Sequence, residues 1–123
     1  MNTANNINEE LTNAIIKMAT ESWRFAHVFA KAASKLDAKD QTRYVGQLNW
    51  FLKQTEMALE TANLRIVNVE GQEYNAGIAA TAINIEDFDS EETLLVEQMV
   101  EPIIMGLNGI VKTGTIILRG EKQ

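Results

Sequence analysis

Residues 7–36, INEELTNAIIKMATESWRFAHVFAKAASKL, decide the fold of this chain. Within them, apolar or small residues recur in alternating steps of four and three, at Leu11, Ile15, Met18, Ser22, Phe25, Phe29, Ala32 and Leu36. This heptad spacing keeps one stripe of a helix facing a partner helix. The stretch therefore predicts a helix of about 45 Å at 1.5 Å per residue. Asn6 is its candidate N-cap, because Glu9 follows three residues later as in a capping box.

A second helix is predicted directly after the first one. Asp37 is its candidate N-cap, with Asp40 in the first turn. Heptad steps recur at Val45, Leu48, Leu52, Thr55, Leu59 and Ala62. The helix is expected to end near Asn63, which tolerates a left-handed turn. Because the connection is short, the two helices should form an antiparallel hairpin.

Several large apolar residues lie off or beside these seams, namely Trp23, Val28, Tyr44, Trp50, Phe51 and Met57. A second copy of the hairpin would cover them in a four-helix bundle, so a homodimer is predicted. Packing against the second half of the same chain is the competing explanation. The expected dimer interface comprises Leu11, Ile15, Met18, Phe25, Phe29, Leu48, Leu52 and Leu59.

The pattern changes near residue 63, after which six of the seven glycines occur. Strands are expected at residues 64–69, 78–85 and 94–101, although a capped helix opening at Ser90 is the alternative for the last of these. Asn108-Gly109 predicts a tight hairpin with positive backbone angles, and the last strand or strands reach residue 118. Gly114 is expected at a bulge or corner, and Pro102 at an edge or a strand end.

These patterns together predict an α+β fold with two domains. Residues 1–63 form a helical hairpin that dimerises, and residues 64–123 form a small β-rich domain.

Composition excludes several classes of function. The formal charge is −6 and no run of Lys or Arg occurs, so nucleic acid and anionic membranes are poor partners. The absence of Cys excludes disulfides and thiolate chemistry. Neither a signal peptide nor a membrane-spanning run is recognisable, so a cytoplasmic location is expected.

No set of residues in the sequence predicts catalysis. His27 is the only histidine and is expected to be packed or half exposed rather than to bind a metal. The acidic residues 86–92 lack the glycine and spacing of a calcium loop and should form a solvated loop. Glu97 and Glu101 should face solvent on one side of a strand, about 13 Å apart, too far to share a proton. We therefore expect a protein that is not an enzyme, with no cofactor and no metal.

Two segments of the second half resemble the GrpE family of Hsp70 nucleotide-exchange factors. Residues 71–82, GQEYNAGIAATA, are similar to the family stretch G-E-x-F-D-P-x-x-H-E-A-V. Residues 96–118, with Asn108-Gly109 at their centre, are similar to the last hairpin of the family. The order of a helical part and then a compact β domain fits the same family.

The resemblance implies a homodimeric co-chaperone that acts on an Hsp70-like or actin-like ATPase. It places the partner contact at Tyr74, Asn75, Asn108, Ile110 and Lys112. Several family positions differ here: Ala79-Ala80 replaces His-Glu, Ile103-Ile104 replaces Gly-Tyr, and Ile110 replaces an Arg. A structural adaptor subunit without exchange activity is the alternative function.

Overall fold

The computed structural model describes the backbone of residues 3–121 and the side chains of residues 6–121. The chain divides into two compact units, Met1–Leu64 and Arg65–Gln123. The first unit is a hairpin of two helices, and the second holds six short strands in two sheets. The α+β fold predicted from the sequence, a helical hairpin followed by a β domain, is confirmed.

The first helix, α1, spans Thr3–Ala33. The prediction of an N-cap at Asn6 is wrong, because α1 already includes that residue. The helix also ends before Leu36, whose backbone N–H donates to the carbonyl of Ala33 at 3.1 Å in the connecting turn. The last member of the predicted heptad seam therefore lies outside the helix.

The second helix, α2, spans Ala38–Thr61, and both of its predicted ends are confirmed. The Asp37 carboxylate accepts a hydrogen bond from the backbone N–H of Asp40 at 2.9 Å, as an N-cap should. At the other end Asn63 has a φ of 61°. The N–H groups of Asn63 and Leu64 donate to the carbonyls of Glu60 and Leu59, each at 2.9 Å. This pattern is the Schellman motif, which satisfies the last helical carbonyls.

The buried stripe of α1 is not the predicted one. Its buried apolar residues are Ala19, Trp23, Ala26 and Ala33, whereas Met18 and Phe25 of the predicted seam are exposed. The three alanines repeat every seven residues, and small side chains let two helices approach closely. Within the hairpin, α1 thus buries an alanine stripe that the sequence analysis did not identify, because it counted the stripe one position earlier.

The β unit begins with β1 (Arg65–Val67) and β2 (Ala80–Ala82), and continues through β3 (Leu94–Glu101), β4 (Ile103–Gly106), β5 (Gly109–Lys112) and β6 (Gly114–Gly120). One sheet has the order β1-β4-β5 and is antiparallel. The other has the order β2-β6-β3, in which β2 and β6 are parallel. The core of the unit includes Val96, Met99, Ile103, Ile104, Ile116 and Leu118, each at most 1% exposed.

β3 is a strand, as expected, and not a helix opening at Ser90, but buried and exposed side chains do not alternate regularly along it. The register against β6 shifts between Val96 and Gln98 and again between Met99 and Glu101. Each bulge adds a residue, so Val96 and Met99 are both buried although they lie three positions apart. The carboxylate of Glu70 accepts the backbone N–H of Met99 at 2.8 Å beside these bulges.

Glu101 also departs from the prediction that it faces solvent. Its carboxylate lies 3.6 Å from the Lys112 ammonium and accepts a hydrogen bond from the Thr115 hydroxyl at 3.2 Å. Its side chain is only 30% exposed. Glu101 is thus a partly buried link from β3 to β5 and β6.

The hairpin at Asn108-Gly109 is present, with a different backbone from the predicted one. Gly109 has a φ of 125°, whereas Asn108 does not have a positive φ. Gly106 pairs with Gly109, so Leu107 and Asn108 form the turn. The strand predicted at residues 78–85 is shorter in the structure, where β2 spans only Ala80–Ala82 and a 3-10 turn begins at Ile85.

Gly114 lies at a close approach at the start of β6. A Cβ there would lie 2.7 Å from the Glu101 carbonyl oxygen and 2.9 Å from Cγ1 of Ile103. Pro102 lies between β3 and β4, at a strand end as predicted, and is buried.

Candidate protein-binding surfaces

The helical hairpin has an exposed apolar face that begins on α1. Within the predicted seam, Leu11 is 57% exposed, Met18 71% and Phe25 61%. Their spacing of seven residues puts them on one side of α1. The alanine stripe is one position further along the chain, so α1 has two adjacent apolar stripes and buries only one of them against its own neighbours.

A furrow runs along this face between the two helices. It consists of three grooves of about 330, 160 and 190 Å³, in which Phe51 lines the first two and Phe29 the last two. The furrow is lined by Ile15, Met18, Ala19, Ser22, Phe25, Phe29, Ala32, Ala33, Leu36, Tyr44, Gln47, Leu48, Phe51, Gln54, Thr55, Ala58 and Leu59. None of these residues carries a charge at neutral pH. We call the furrow together with Leu11 the hairpin face.

Aromatic rings are in contact along one half of the hairpin face. The ring centroids of Phe25 and Phe29 lie 6.3 Å apart, and those of Phe29 and Tyr44 lie 6.2 Å apart nearly edge to face. The Arg43 guanidinium lies 4.8 Å from the centroid of the Tyr44 ring. These contacts hold large side chains in place before any partner arrives, which lowers the entropy cost of binding.

Most of the predicted dimer residues lie on the hairpin face. Leu11, Ile15, Met18, Phe25, Phe29 and Leu48 belong to it, while Leu52 is half-buried outside the furrow lining. Leu59 is only 2% exposed at the floor of the furrow. Its side chain is therefore occupied within the hairpin and offers a partner little surface.

The five predicted partner-binding residues of the β unit do not form one cluster. The Tyr74 N–H donates to the carbonyl of Leu94 at 2.8 Å, so Tyr74 and Asn75 lie beside the start of β3. Lys112 pairs with Glu101 at the end of the same strand. Between Leu94 and Glu101 the register advances by five residues of β6, which separates these places by about 17 Å at 3.3 Å per residue. Asn108 and Ile110 lie in and after the β4–β5 turn.

The β4–β5 turn carries two exposed apolar side chains, Leu107 and Val111, that the sequence reasoning missed beside the predicted Ile110. Leu107 is 80% exposed, and Ile110 and Val111 are exposed as well. β5 is an edge strand of its sheet. A leucine directly before the predicted Asn-Gly turn, where polar residues are usual, was the signal available in the sequence.

The β unit has a groove of about 490 Å³ beside Tyr74, and its rim is mainly acidic. Its acidic members are Glu73, Glu86, Asp89 and Glu92, and all four are exposed. The 86–92 segment is a solvent-exposed loop and short 3-10 turn, as predicted. The net charge of the chain, −6, belongs entirely to the β unit, because residues 65–123 contain ten acidic and four basic residues and residues 1–64 contain seven of each.

His27 is half-buried on α1, in agreement with its predicted packing. Its Nδ1 lies 3.0 Å from the carbonyl oxygen of Trp23, and its ring lies 5.0 Å from the Trp23 ring. Because a carbonyl can only accept, Nδ1 carries the proton in this hydrogen bond. Across residues 3–121, no group of three or more His, Asp or Glu residues is arranged to hold a metal ion.

A helix that crosses a bilayer needs about 20 mainly apolar residues. Within the part of the chain that the structure describes, neither helix combines the length and the apolar composition needed to cross a bilayer.

Comparisons with known proteins give no relative for this chain. No protein-family model, no curated protein and no solved structure matches it. The arrangement of its surfaces is therefore the basis for any assignment of function.

Proposed function

We propose that this chain is a non-catalytic protein-binding factor that acts as a homodimer. One observation carries the proposal: the hairpin face is a long, uncharged apolar surface that no described part of its own unit covers. Monomeric proteins rarely expose contiguous apolar patches above about 300–600 Å² unless the patch binds something. Protein is the partner class that fits such an open, elongated surface.

The partner that best fits the β unit is an Hsp70-like or actin-like ATPase, on which the protein acts as a GrpE-like exchange factor. The resemblance to that family and the order of a helical hairpin before a compact β unit support this proposal. A factor of this kind binds the open, nucleotide-free cleft more tightly than the closed one and so shifts the population towards release. Tyr74, Asn75, Asn108, Ile110 and Lys112 are the proposed contacts, and their spread over the β unit requires an extended footprint.

The direct test is the rate of ADP release. A purified Hsp70-like ATPase is loaded with fluorescent ADP, and release is timed with and without saturating full-length protein. Acceleration that is lost in Ile110→Asp supports the exchange function. Ile83→Asp is the matched control, because Ile83 is a 61% exposed isoleucine of the same unit that is not among the proposed contacts. No acceleration by the unaltered protein excludes the exchange function for that ATPase.

The second candidate is a structural adaptor that binds a protein and leaves nucleotide release unchanged. The β4–β5 turn favours this function, because the exposed Ile110 offers an apolar contact where the GrpE-like pattern has an Arg after Asn-Gly. Stable co-migration with the ATPase without any change in ADP release is the result expected of an adaptor.

A further inference from the structure

The charges of the helical hairpin are segregated by position along its length. Residues 24–43, which surround the connecting turn, carry Arg24, Lys31, Lys35, Lys39 and Arg43 against Asp37 and Asp40, a formal charge of +3. The rest of residues 1–64 carries Glu9, Glu10, Glu21, Glu56 and Glu60 against Lys17 and Lys53, a formal charge of −3. Because α1 and α2 form a hairpin, the positive charge lies at its turn end and the negative charge at its open end.

We propose that the hairpin face is covered by a second copy of this chain in antiparallel orientation, with the turn end of each hairpin beside the open end of the other. This inference rests on the proposed homodimeric function and deepens it by specifying the partner and its orientation. The four helices form a bundle whose two-fold axis is perpendicular to the helices and passes near Met18 and Phe51, at the middle of the furrow.

The size of the hairpin face supports a second copy as the occupant. Its exposed large side chains, with Ile7 just beyond them on α1, leave on the order of 700 Å² of mainly apolar surface, close to the roughly 800 Å² per partner of a standard interface. The face runs along both helices and is uncharged throughout, so two copies can meet without burying a charge. A two-fold interface requires such a self-complementary surface.

The charge segregation selects the orientation. An antiparallel arrangement places the positive turn end of each copy beside the negative open end of the other. A parallel arrangement places two ends of +3 together and two ends of −3 together. Charges of this kind act on specificity and register more than on raw affinity, because solvent and salt screen them.

The β units add to the same preference. Each carries a formal charge of −6 and follows the open end of its hairpin at Leu64. In the antiparallel bundle, the points at which the two β units attach lie at opposite ends, about 30 Å apart at 1.5 Å per helical residue. In a parallel bundle both acidic units attach at the same end.

Electron spin resonance distances on the full chain test the orientation. The chain has no Cys, so Ser34→Cys and Lys53→Cys each give one nitroxide label per copy. Ser34 is exposed at the turn end, and Lys53 is exposed near the proposed axis. The antiparallel dimer predicts about 45 Å between Ser34→Cys labels, whereas a parallel dimer predicts less than about 25 Å. The Lys53→Cys labels lie within the bundle width in both arrangements and serve as the control for dimerisation.

A short distance for Ser34→Cys together with a short distance for Lys53→Cys overturns the antiparallel orientation. Absence of dipolar coupling at both sites, with a mass of 13.7 kDa by light scattering, overturns the second copy as the occupant. Neither result affects the ADP-release measurement, which tests the proposed exchange function on its own.

Discussion

Replacement of Phe25 by Glu should convert the protein from a dimer to a monomer. Phe25 is 61% exposed on the hairpin face. For an aromatic side chain of about 200 Å², that fraction corresponds to about 120 Å² leaving water in each copy. At 25 cal/mol per Å² the burial is worth about 3 kcal/mol per copy, and both copies lose it in the variant. Even half of the combined loss raises the dimer dissociation constant about 100-fold.

Sedimentation velocity over a range of concentrations measures this effect. The unaltered chain should sediment near 27 kDa, twice the 13.7 kDa of one copy, and Phe25→Glu near the monomer mass. Val28→Glu is the matched control, because Val28 is 65% exposed on the same helix but does not line the furrow. Both variants should keep the helical circular dichroism signal, since neither residue is buried. A Phe25→Glu protein that dimerises as tightly as the unaltered one refutes the assignment of the hairpin face.

Three further predictions concern the stability of the units themselves. Gly114→Ala should destabilise the β unit by about 1–3 kcal/mol, because the new Cβ meets the backbone at Glu101. Gly46→Ala should stabilise α2 by about 1 kcal/mol, because no atom lies within 4 Å of the new Cβ and Ala favours a helix more than Gly does. Urea unfolding measures the stability of both variants, and a lower free energy of unfolding for Gly46→Ala would contradict the open surroundings of Gly46. Asp37→Ala should cost about 1 kcal/mol of hairpin stability, and Asp37→Asn should recover most of it because Asn also caps. Lys112→Met should lower the free energy of unfolding by less than about 1 kcal/mol, because the Lys112–Glu101 ion pair is partly solvated. The loss of stability should be smaller in high salt, which screens the pair. A loss that does not depend on salt would indicate that Lys112 stabilises the unit by packing instead.

The sequence predicted those features whose causes lie within a few residues. The cap at Asp37 and the left-handed turn at Asn63 depend on local backbone chemistry, and both are present. The change from helices to strands near residue 63 follows from the hydrophobic period and the glycines, which are also local signals. The fold class could therefore be predicted from the sequence pattern alone.

The features that the sequence did not predict depend on distant residues. The bulges of β3 shift Met99 into the core, and Glu70, 29 positions earlier, accepts its N–H. A period-two pattern contains no information about such a partner. The buried stripe of α1 was missed for a related reason, because alanines gain their importance only when a second helix packs close to them. The proposed contacts of the β unit came from separate turn motifs, so their separation along β3 was not visible in the sequence.

The distribution of charge indicates how work is divided between the two units. The hairpin has equal numbers of acidic and basic residues, so it can associate with its own copy without net repulsion, and its apolar face provides the binding energy. The β unit carries all of the net charge, and two such units repel each other. The proposed self-association through the hairpin therefore meets no net charge repulsion, whereas contact between two β units is opposed by their like charge. An acidic surface attracts a partner with a basic face and increases the rate of encounter at low salt.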